Sequence, residues 1–171
     1  FMEEEELAQC HLKYLPTGDV AILMPKFMGD EFKNRLKGRL QNRLYTMEPQ
    51  SLEEGLGQLL RKNSATVATA ESCTAGLISA RLAASPGSSD YLLSAYVTYS
   101  RQAKIASLGV AQVLIDKFGE VSREIAIGMA RGALKASGSS LAVSTTGIAG
   151  PGGGSVDKPV GTVYFAVVSS D

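Results

Sequence analysis

Residues 66–82 read TVATAESCTAGLISARL, and this stretch decides the fold. Thr66 to Ala70 is a short run of small and β-branched residues, which predicts a strand. Thr74 to Ser85 then places Leu77 and Leu82 on one side of a helix. A strand that leads directly into a helix is the repeating unit of α/β domains.

The same alternation of strands and helices continues along the chain. The further predicted strands are Leu92 to Tyr99, Leu141 to Thr145 and Thr162 to Val168. The further predicted helices are Arg101 to Leu108, Ala111 to Phe118, and a third that starts at the N-cap Ser122 and ends at Gly138. We therefore predict an α/β domain with three layers, α/β/α, whose functional loops lie at one edge of the sheet.

Residues 1–48 predict a separate, small α+β module. Leu12 to Leu15 and Val20 to Met24 flank a turn sequence and suggest a hairpin. Phe32, Leu36, Leu40 and Leu44 recur every fourth residue, which predicts a helix.

The polar face of that helix is basic from Lys33 to Arg43. Basic helices occur in nucleic-acid-binding proteins. A solvated face balanced by Glu3 to Glu6 is the favoured interpretation, and no nucleic-acid partner is expected.

Glu48-Pro49-Gln50 predicts a linker at the boundary to a second domain, which is predicted to span residues 49–171. Ser51 and Glu54 have the spacing of a capping box, so a helix is expected to start there.

Composition narrows the class of protein. The 171 residues carry 17 basic and 17 acidic side chains, and 44% are apolar, as in ordinary globular proteins. No apolar run is long enough to span a bilayer. Two cysteines make no disulfide framework, which favours a cytoplasmic compartment. His11 is the one histidine, which argues against a Ser-His-Asp triad or a zinc site, so neither metal nor cofactor is expected.

Three stretches offer chemistry from the residues alone. The turn Glu71 to Gly76 opens a helix, where free amides bind anions, with plain capping by Ser72 or Thr74 an equal alternative. The loop Gly147 to Ser155 is glycine-dense but matches neither a Walker nor a Rossmann motif, so a flexible connector is an equal alternative. Tyr99 ends a predicted strand and Lys104 lies on the first turns of the next helix, so the two could meet and offer a base for a serine nucleophile, with surface hydroxyls and a solvated lysine as the alternative.

Residues 64–168 closely resemble the C-terminal domain of the CinA competence/damage-inducible family. The resemblance lies in the strings TAESCT (69–74), PGSS (86–89), TYS (98–100), AK (103–104), TGIAGPGGG (146–154) and KPVGTV (158–163). Residues 12–60 more loosely resemble the KH-like region that precedes this domain in the family. Ala75 and Arg101-Gln102 depart from the common family residues, and the family continues with a strand and a long helix where this sequence stops. A fragment is expected.

The resemblance implies an amidohydrolase of the pyridine nucleotide cycle that converts nicotinamide mononucleotide to nicotinate mononucleotide and ammonia, without a metal. It places the family's catalytic residues on Ser89, the nucleophile, and on Tyr99 and Lys104, which move the proton. It further implies a homo-oligomer, with a small nucleotide as the partner. It assigns substrate binding to Glu71, Ser72, Thr74, Gly76, Thr146, Gly147, Gly150 and Gly152.

Two alternatives remain open. Cys73 is a second candidate nucleophile, with Glu71 and Lys104 as helpers, because a helix N-terminus favours a thiolate. A non-catalytic nucleotide-sensing or interaction domain is the other.

Overall fold

The structure is a computed structural model that describes residues 11–14, 20–23, 30–40 and 50–170. The chain divides into two compact units, Phe1–Gln50 and Ser51–Asp171. None of the helices in the described ranges has the length and apolarity needed to cross a bilayer.

The first unit contains the predicted hairpin. Strand β1 (His11–Tyr14) pairs antiparallel with strand β2 (Val20–Leu23). Helix α1 (Asp30–Leu40) buries Phe32 and Leu36, as the four-residue spacing predicts. Leu44, Arg43 and Glu3 to Glu6 lie outside the described residues.

The second unit contains the remaining helices and strands of the described chain. Its helices are α2 (Leu52–Lys62), α3 (Leu77–Ala83), α4 (Arg101–Leu108), α5 (Gln112–Phe118) and α6 (Arg123–Ser137). Its strands are β3 (Val67–Glu71), β4 (Leu92–Val97), β5 (Leu141–Gly147) and β6 (Val163–Ser169). The capping box at Ser51 and Glu54 is confirmed, with both reciprocal hydrogen bonds present.

The four strands form one sheet in the order β4-β3-β5-β6, with β3, β4 and β5 parallel and β6 antiparallel to β5. Residues of α4, α5 and α6 form the core on one face, and residues of α2 and α3 form a second cluster on the other. The predicted α/β/α arrangement is therefore confirmed.

Helix α6 comes very close to the end of α4 at Gly132. A Cβ atom on Gly132 would overlap the backbone carbonyl of Leu108. The absence of a side chain there allows the two helices to pack on the same face of the sheet.

Because β3 and β4 are parallel, their carboxyl ends lie together at one edge of the sheet, the carboxyl edge, and their amino ends lie at the opposite edge. Val67 pairs with Leu92 at the start of both strands, and Glu71 pairs with Val97 at their ends. A strand rises about 3.3 Å per residue, so the two ends of β4 are roughly 16 Å apart. Residues that follow β3 and β4 meet at the carboxyl edge, while residues that precede β4 lie at the opposite edge.

Candidate functional site

Lys104 lies at the centre of the carboxyl edge. It is on the first turn of α4, which begins at the N-cap Ser100. Its side chain is only 1% exposed, and Nζ lies 3.1 Å from each of three oxygens: Ser72 Oγ, the carbonyl of Thr98 and the carbonyl of Tyr99. The amine thus joins the end of β3 to the end of β4.

Burial lowers the pKa of Lys104 below its ordinary value. The carboxylate of Glu120, whose Oε2 lies 3.6 Å from Nζ, raises this pKa, and so does negative charge on Cys73, but burial dominates. The lysine therefore loses its proton more readily than a solvated lysine does, as a general base requires.

Glu71 fills the helix start that was expected to bind an anion. Its side chain is wholly buried, and its carboxylate accepts hydrogen bonds from the backbone N–H groups of Gly76, Ile78 and Ser79 at 3.1, 3.0 and 2.8 Å. Because the chain's own carboxylate occupies these three amides, they are not free to bind a phosphate, and the assignment of substrate binding to this turn stays a prediction. The expectation of capping by Ser72 or Thr74 is wrong, since Glu71 satisfies these amides.

The hydrogen bonds decide the pKa of Glu71. Burial raises this pKa, but hydrogen bonds from the backbone of Ser79 and Ile78 and from the hydroxyls of Thr74 and Ser79 together hold it below its ordinary value. The carboxylate is therefore ionised in the folded protein and stabilises the start of α3.

Glu71→Gln is expected to lower the free energy of unfolding at neutral pH by about 3 kcal/mol, because bonds to a charged acceptor are worth about 1.5–3 kcal/mol each and only part of them is lost. A carboxyl pKa that is lowered on folding stabilises the protein above the ordinary value of 4.5. This contribution disappears as the pH falls through the lowered pKa. Urea unfolding at neutral and acidic pH measures both effects.

Asp157→Asn, on an exposed loop residue, is the matched control and should change stability by less than about 0.5 kcal/mol. A Glu71→Gln loss that stays the same into strong acid would contradict this role for the carboxylate.

The turn between Glu71 and α3 has an unusual backbone. Ala75 and Gly76 have φ angles of +50° and +99°, a region that glycine adopts freely. Alanine at position 75 costs roughly 1 kcal/mol there relative to glycine.

The glycine-rich loop between β5 and β6 borders the same edge. A Cβ atom on Gly147 would lie 2.8 Å from the carbonyl of Thr162 and 3.0 Å from Cys73 Sγ, so the backbone of β5 ends against the cysteine. Lys158 Nζ donates to the carbonyls of Phe118 and Val121 at 3.0 and 2.8 Å. These contacts favour a defined wall over a flexible connector.

The other residues assigned to substrate binding are either threonines whose hydroxyls bond within the protein or glycines in the exposed part of the loop. Thr146 is buried, and its hydroxyl donates to the backbone carbonyl of Glu120 at 2.9 Å, so it positions that residue. Thr74 Oγ1 lies 2.7 Å from Thr145 Oγ1. Gly150 and Gly152 lie in the exposed part of the loop, and space for a Cβ is open at Gly152.

Ser89 lies at the opposite edge of the sheet. It belongs to a short 3-10 turn, Ser88–Asp90, that precedes β4, and Arg61 holds this turn through the carbonyls of Pro86 and Gly87. Within one chain, Ser89 and Lys104 lie at opposite ends of β4 and are not in contact. Its catalytic role stays a prediction.

Tyr99 contacts Lys104 through its backbone carbonyl, and its side chain is 65% exposed. The role of its phenol in proton transfer also stays a prediction.

Two contacts of the site were not predicted from the sequence. No sequence pattern predicts Glu120, which lies on the connection between α5 and α6. The contact between Ser72 and Lys104 follows from strand order, because both residues come after neighbouring parallel strands. Within the described residues, no group of three acidic, histidine or cysteine side chains could hold a metal ion.

These observations define a class of α/β domain with a buried serine–lysine pair at the carboxyl edge of a parallel sheet. The chain belongs to the CinA family, whose C-terminal domain matches residues 49–171.

Known proteins of this family are similar over most of the chain. CinA-like proteins from Chloroherpeton thalassium and Citrifermentans bemidjiense are each 50% identical, over 79% and 95% of this chain and 32% and 40% of their own lengths. The chain therefore spans about a third of such relatives.

Solved structures agree with this assignment. The competence/damage inducible protein CihA from Agrobacterium tumefaciens is 42% identical with a TM-score of 0.65, covering 73% of this chain and 78% of that one. A CinA superfamily protein from Escherichia coli is 29% identical with a TM-score of 0.68, covering 77% of this chain and 79% of that one.

Proposed function

We propose that residues 49–171 form an amidohydrolase that converts nicotinamide mononucleotide to nicotinate mononucleotide and ammonia. Lys104 carries this proposal: it is a buried amine, its pKa is lowered, and it lies in hydrogen-bond contact with a serine hydroxyl. Amide hydrolysis needs a base to activate a nucleophile and an acid to protonate the leaving nitrogen. One lysine that gains and then releases a proton serves both needs.

The choice of substrate rests on the family resemblance. A nucleotide has its phosphate and ribose beside the loop from Thr146 to Gly152, and its carboxamide reaches towards Lys104. The glycines of this loop leave room for a ligand near the backbone. The protein acts as a homo-oligomer in this proposal.

A non-catalytic nucleotide-sensing domain is the second candidate. The separation of Ser89 from Lys104 within one chain favours it over an enzyme that uses Ser89. The two functions differ in turnover: a sensing domain binds the nucleotide and returns it unchanged.

The deciding experiment incubates the full chain with nicotinamide mononucleotide and measures ammonia by a coupled enzymatic assay and the product nucleotide by chromatography. Equal amounts of ammonia and nicotinate mononucleotide, at a rate that a chelator does not change, support the deamidase. Binding detected by calorimetry without ammonia release would instead establish the sensing domain.

Glu120→Gln is expected to move the acid limb of the pH–rate profile to lower pH, by about half a unit. The Glu120 carboxylate raises the pKa of Lys104, so its removal lowers this pKa further. A larger fraction of Lys104 is then neutral at a given pH. The measurement is kcat/KM for ammonia release across the pH range in which the rate of the unmodified protein falls on acidification.

Asp116→Asn makes the same charge change on α5, where Asp116 pairs with Arg101 at 2.8 Å, and serves as the control. Its acid limb should stay close to that of the unmodified protein. A shift of the Glu120→Gln limb to higher pH would refute the assignment of Lys104 as the base.

A further inference from the structure

We propose that Lys158 is a positioning residue, which holds Glu120 beside Lys104 through the main chain. Lys158 lies in the loop between β5 and β6, and Glu120 lies on the connection between α5 and α6. The effect of this contact on turnover rests on the proposed amidohydrolase function, but the contact itself does not.

Side chains hold the connection between α5 and α6 along its whole length. The four backbone carbonyls of residues 118–121 each accept a hydrogen bond from a side chain. The donors are Lys158 Nζ to Phe118 and Val121 at 3.0 and 2.8 Å, Ser122 Oγ to Gly119 at 3.1 Å, and Thr146 Oγ1 to Glu120 at 2.9 Å. The last carbonyls of a helix have no partner within the helix, and a lysine near its C-terminus can supply one. Lys158 bonds to the first and the last of the four carbonyls, so its amine brackets Glu120.

The loop fixes the backbone of Lys158. Its N–H donates to Ser155 Oγ at 3.1 Å, and its carbonyl accepts a hydrogen bond from the Ser155 N–H at 2.8 Å. At the base of the loop, the Ile148 N–H donates to the Thr162 carbonyl at 2.9 Å, and the Gly161 N–H donates to the Ile148 carbonyl at 2.8 Å. The amine of Lys158 therefore reaches the connection from a fixed backbone.

The main chain determines how close the carboxylate of Glu120 lies to Lys104. Oε2 of Glu120 lies 3.6 Å from Lys104 Nζ, and the Glu120 side chain is 43% exposed. This separation is longer than a hydrogen bond between charged groups, so the direct contact alone holds the carboxylate weakly. The energy between two charges falls as their separation grows. A shift of the connection away from α4 would therefore weaken the effect of Glu120 on Lys104.

The titratable groups around Lys104 come from three elements. Glu120, on the α5–α6 connection, and Cys73, on the turn after β3, both raise the pKa of Lys104 against the effect of burial. The remaining charged groups have partners of their own: the Glu71 carboxylate accepts from backbone amides, and Arg101 pairs with Asp116 at 2.8 Å.

Two possible effects of Lys158 on Lys104 have opposite signs. Lys158 carries a positive charge, and loss of a nearby positive charge raises the pKa of a lysine. If Lys158 instead holds Glu120 in place, its loss weakens the effect of that carboxylate and lowers the pKa of Lys104. The direction of the change therefore distinguishes a positioning role from a purely electrostatic one.

The test measures the pKa of Lys104 in the full chain by NMR titration of its Cε resonance, with isotopically labelled lysine. Lys104→Arg identifies this resonance by its loss. Lys158→Met should lower the pKa by about 0.3 of a unit, and Glu120→Gln by about half a unit. In the Glu120→Gln background, Lys158→Met should lower it no further, because the group that it positions is already absent.

Thr146→Val provides a second variant without any change in charge. It removes the hydroxyl that donates to the Glu120 carbonyl, so it should also lower the pKa of Lys104, and only while Glu120 is present. Lys117→Met is the matched control, because it removes a positive charge from the last turn of α5 at an exposed position. It should leave the pKa of Lys104 within about 0.1 unit, since solvent screens such a charge. Thermal unfolding verifies that each variant is folded.

A fall in the pKa that requires Glu120 supports the inference, in Lys158→Met or, if that variant does not fold, in Thr146→Val. An unchanged or raised pKa overturns it, and so does an equal fall with and without Glu120. The titration needs no substrate, so its result holds even if the protein releases no ammonia and the proposed function fails. If ammonia is released, Lys158→Met should move the acid limb of kcat/KM to lower pH, as Glu120→Gln does. A limb moved to higher pH would overturn the positioning role and leave the deamidase intact.

Discussion

Lys104→Met should abolish ammonia release, with kcat reduced at least about 1,000-fold. Methionine keeps the length and apolar stem of lysine but cannot accept a proton. Lys104→Arg should also fail although it keeps the positive charge, because a guanidinium does not deprotonate in the working range of pH. Loss in both variants separates the role of a base from the role of a fixed charge.

Lys135→Met, at an exposed position in the last turn of α6, is the matched control and should retain activity. Circular dichroism and nucleotide binding by calorimetry establish that Lys104→Met is folded and still binds its ligand. An arginine variant with more than a tenth of the original kcat would exclude proton transfer by residue 104.

Gly132→Ala should lower the free energy of unfolding by about 3 kcal/mol or more. The added methyl group would overlap the backbone carbonyl of Leu108, and a backbone atom cannot move aside as a flexible side chain does. To relieve the overlap, α6 must shift away from the end of α4 and disturb the core beneath it. Urea unfolding followed by circular dichroism measures the loss.

Gly128→Ala provides the control on the same helix. Its added Cβ would lie 3.7 Å from Val110 Cγ1, an ordinary contact distance. Alanine favours helix over glycine by up to about 1 kcal/mol, so this variant should be as stable as the original or more so. Equal losses at 128 and 132 would mean that the close approach of α4 is not the cause.

Local signals predicted most of the helices and strands. The capping box at Ser51 and Glu54 and the N-cap at Ser122 depend on residues three positions apart, so they are visible in the sequence. Where elements end was predicted less well. Helix α3 begins at Leu77 rather than near Thr74, because Glu71 binds the amides at its start, a contact that spans up to eight residues.

The end of β4 shows the same limitation. A strand to Tyr99 was predicted, but β4 ends at Val97. The carbonyls of Thr98 and Tyr99 instead turn towards the amine of Lys104. A run of β-forming residues cannot reveal that these carbonyl oxygens accept hydrogen bonds from a buried lysine instead of continuing the pairing of the strand.

The candidate site was predicted only in part. The resemblance identified Lys104 and included Ser72 among the binding residues, but it also placed Ser89 beside Lys104. The predicted strand already lay between Ser89 and Tyr99, so strand direction alone argued against that contact. The contact of Ser72 with Lys104 required knowledge that β3 and β4 are neighbours, which no pattern in the sequence shows.

Position 99 holds the amine of Lys104 through a backbone oxygen, so its side chain can be varied without loss of that contact. The oxygen that holds Lys104 there belongs to the backbone, so every amino acid supplies it, while the side chain points largely to solvent. A saturation library at Tyr99 would therefore vary the outer rim of the site without removing the anchor of the amine. The Tyr99→Phe member would report on the phenol alone.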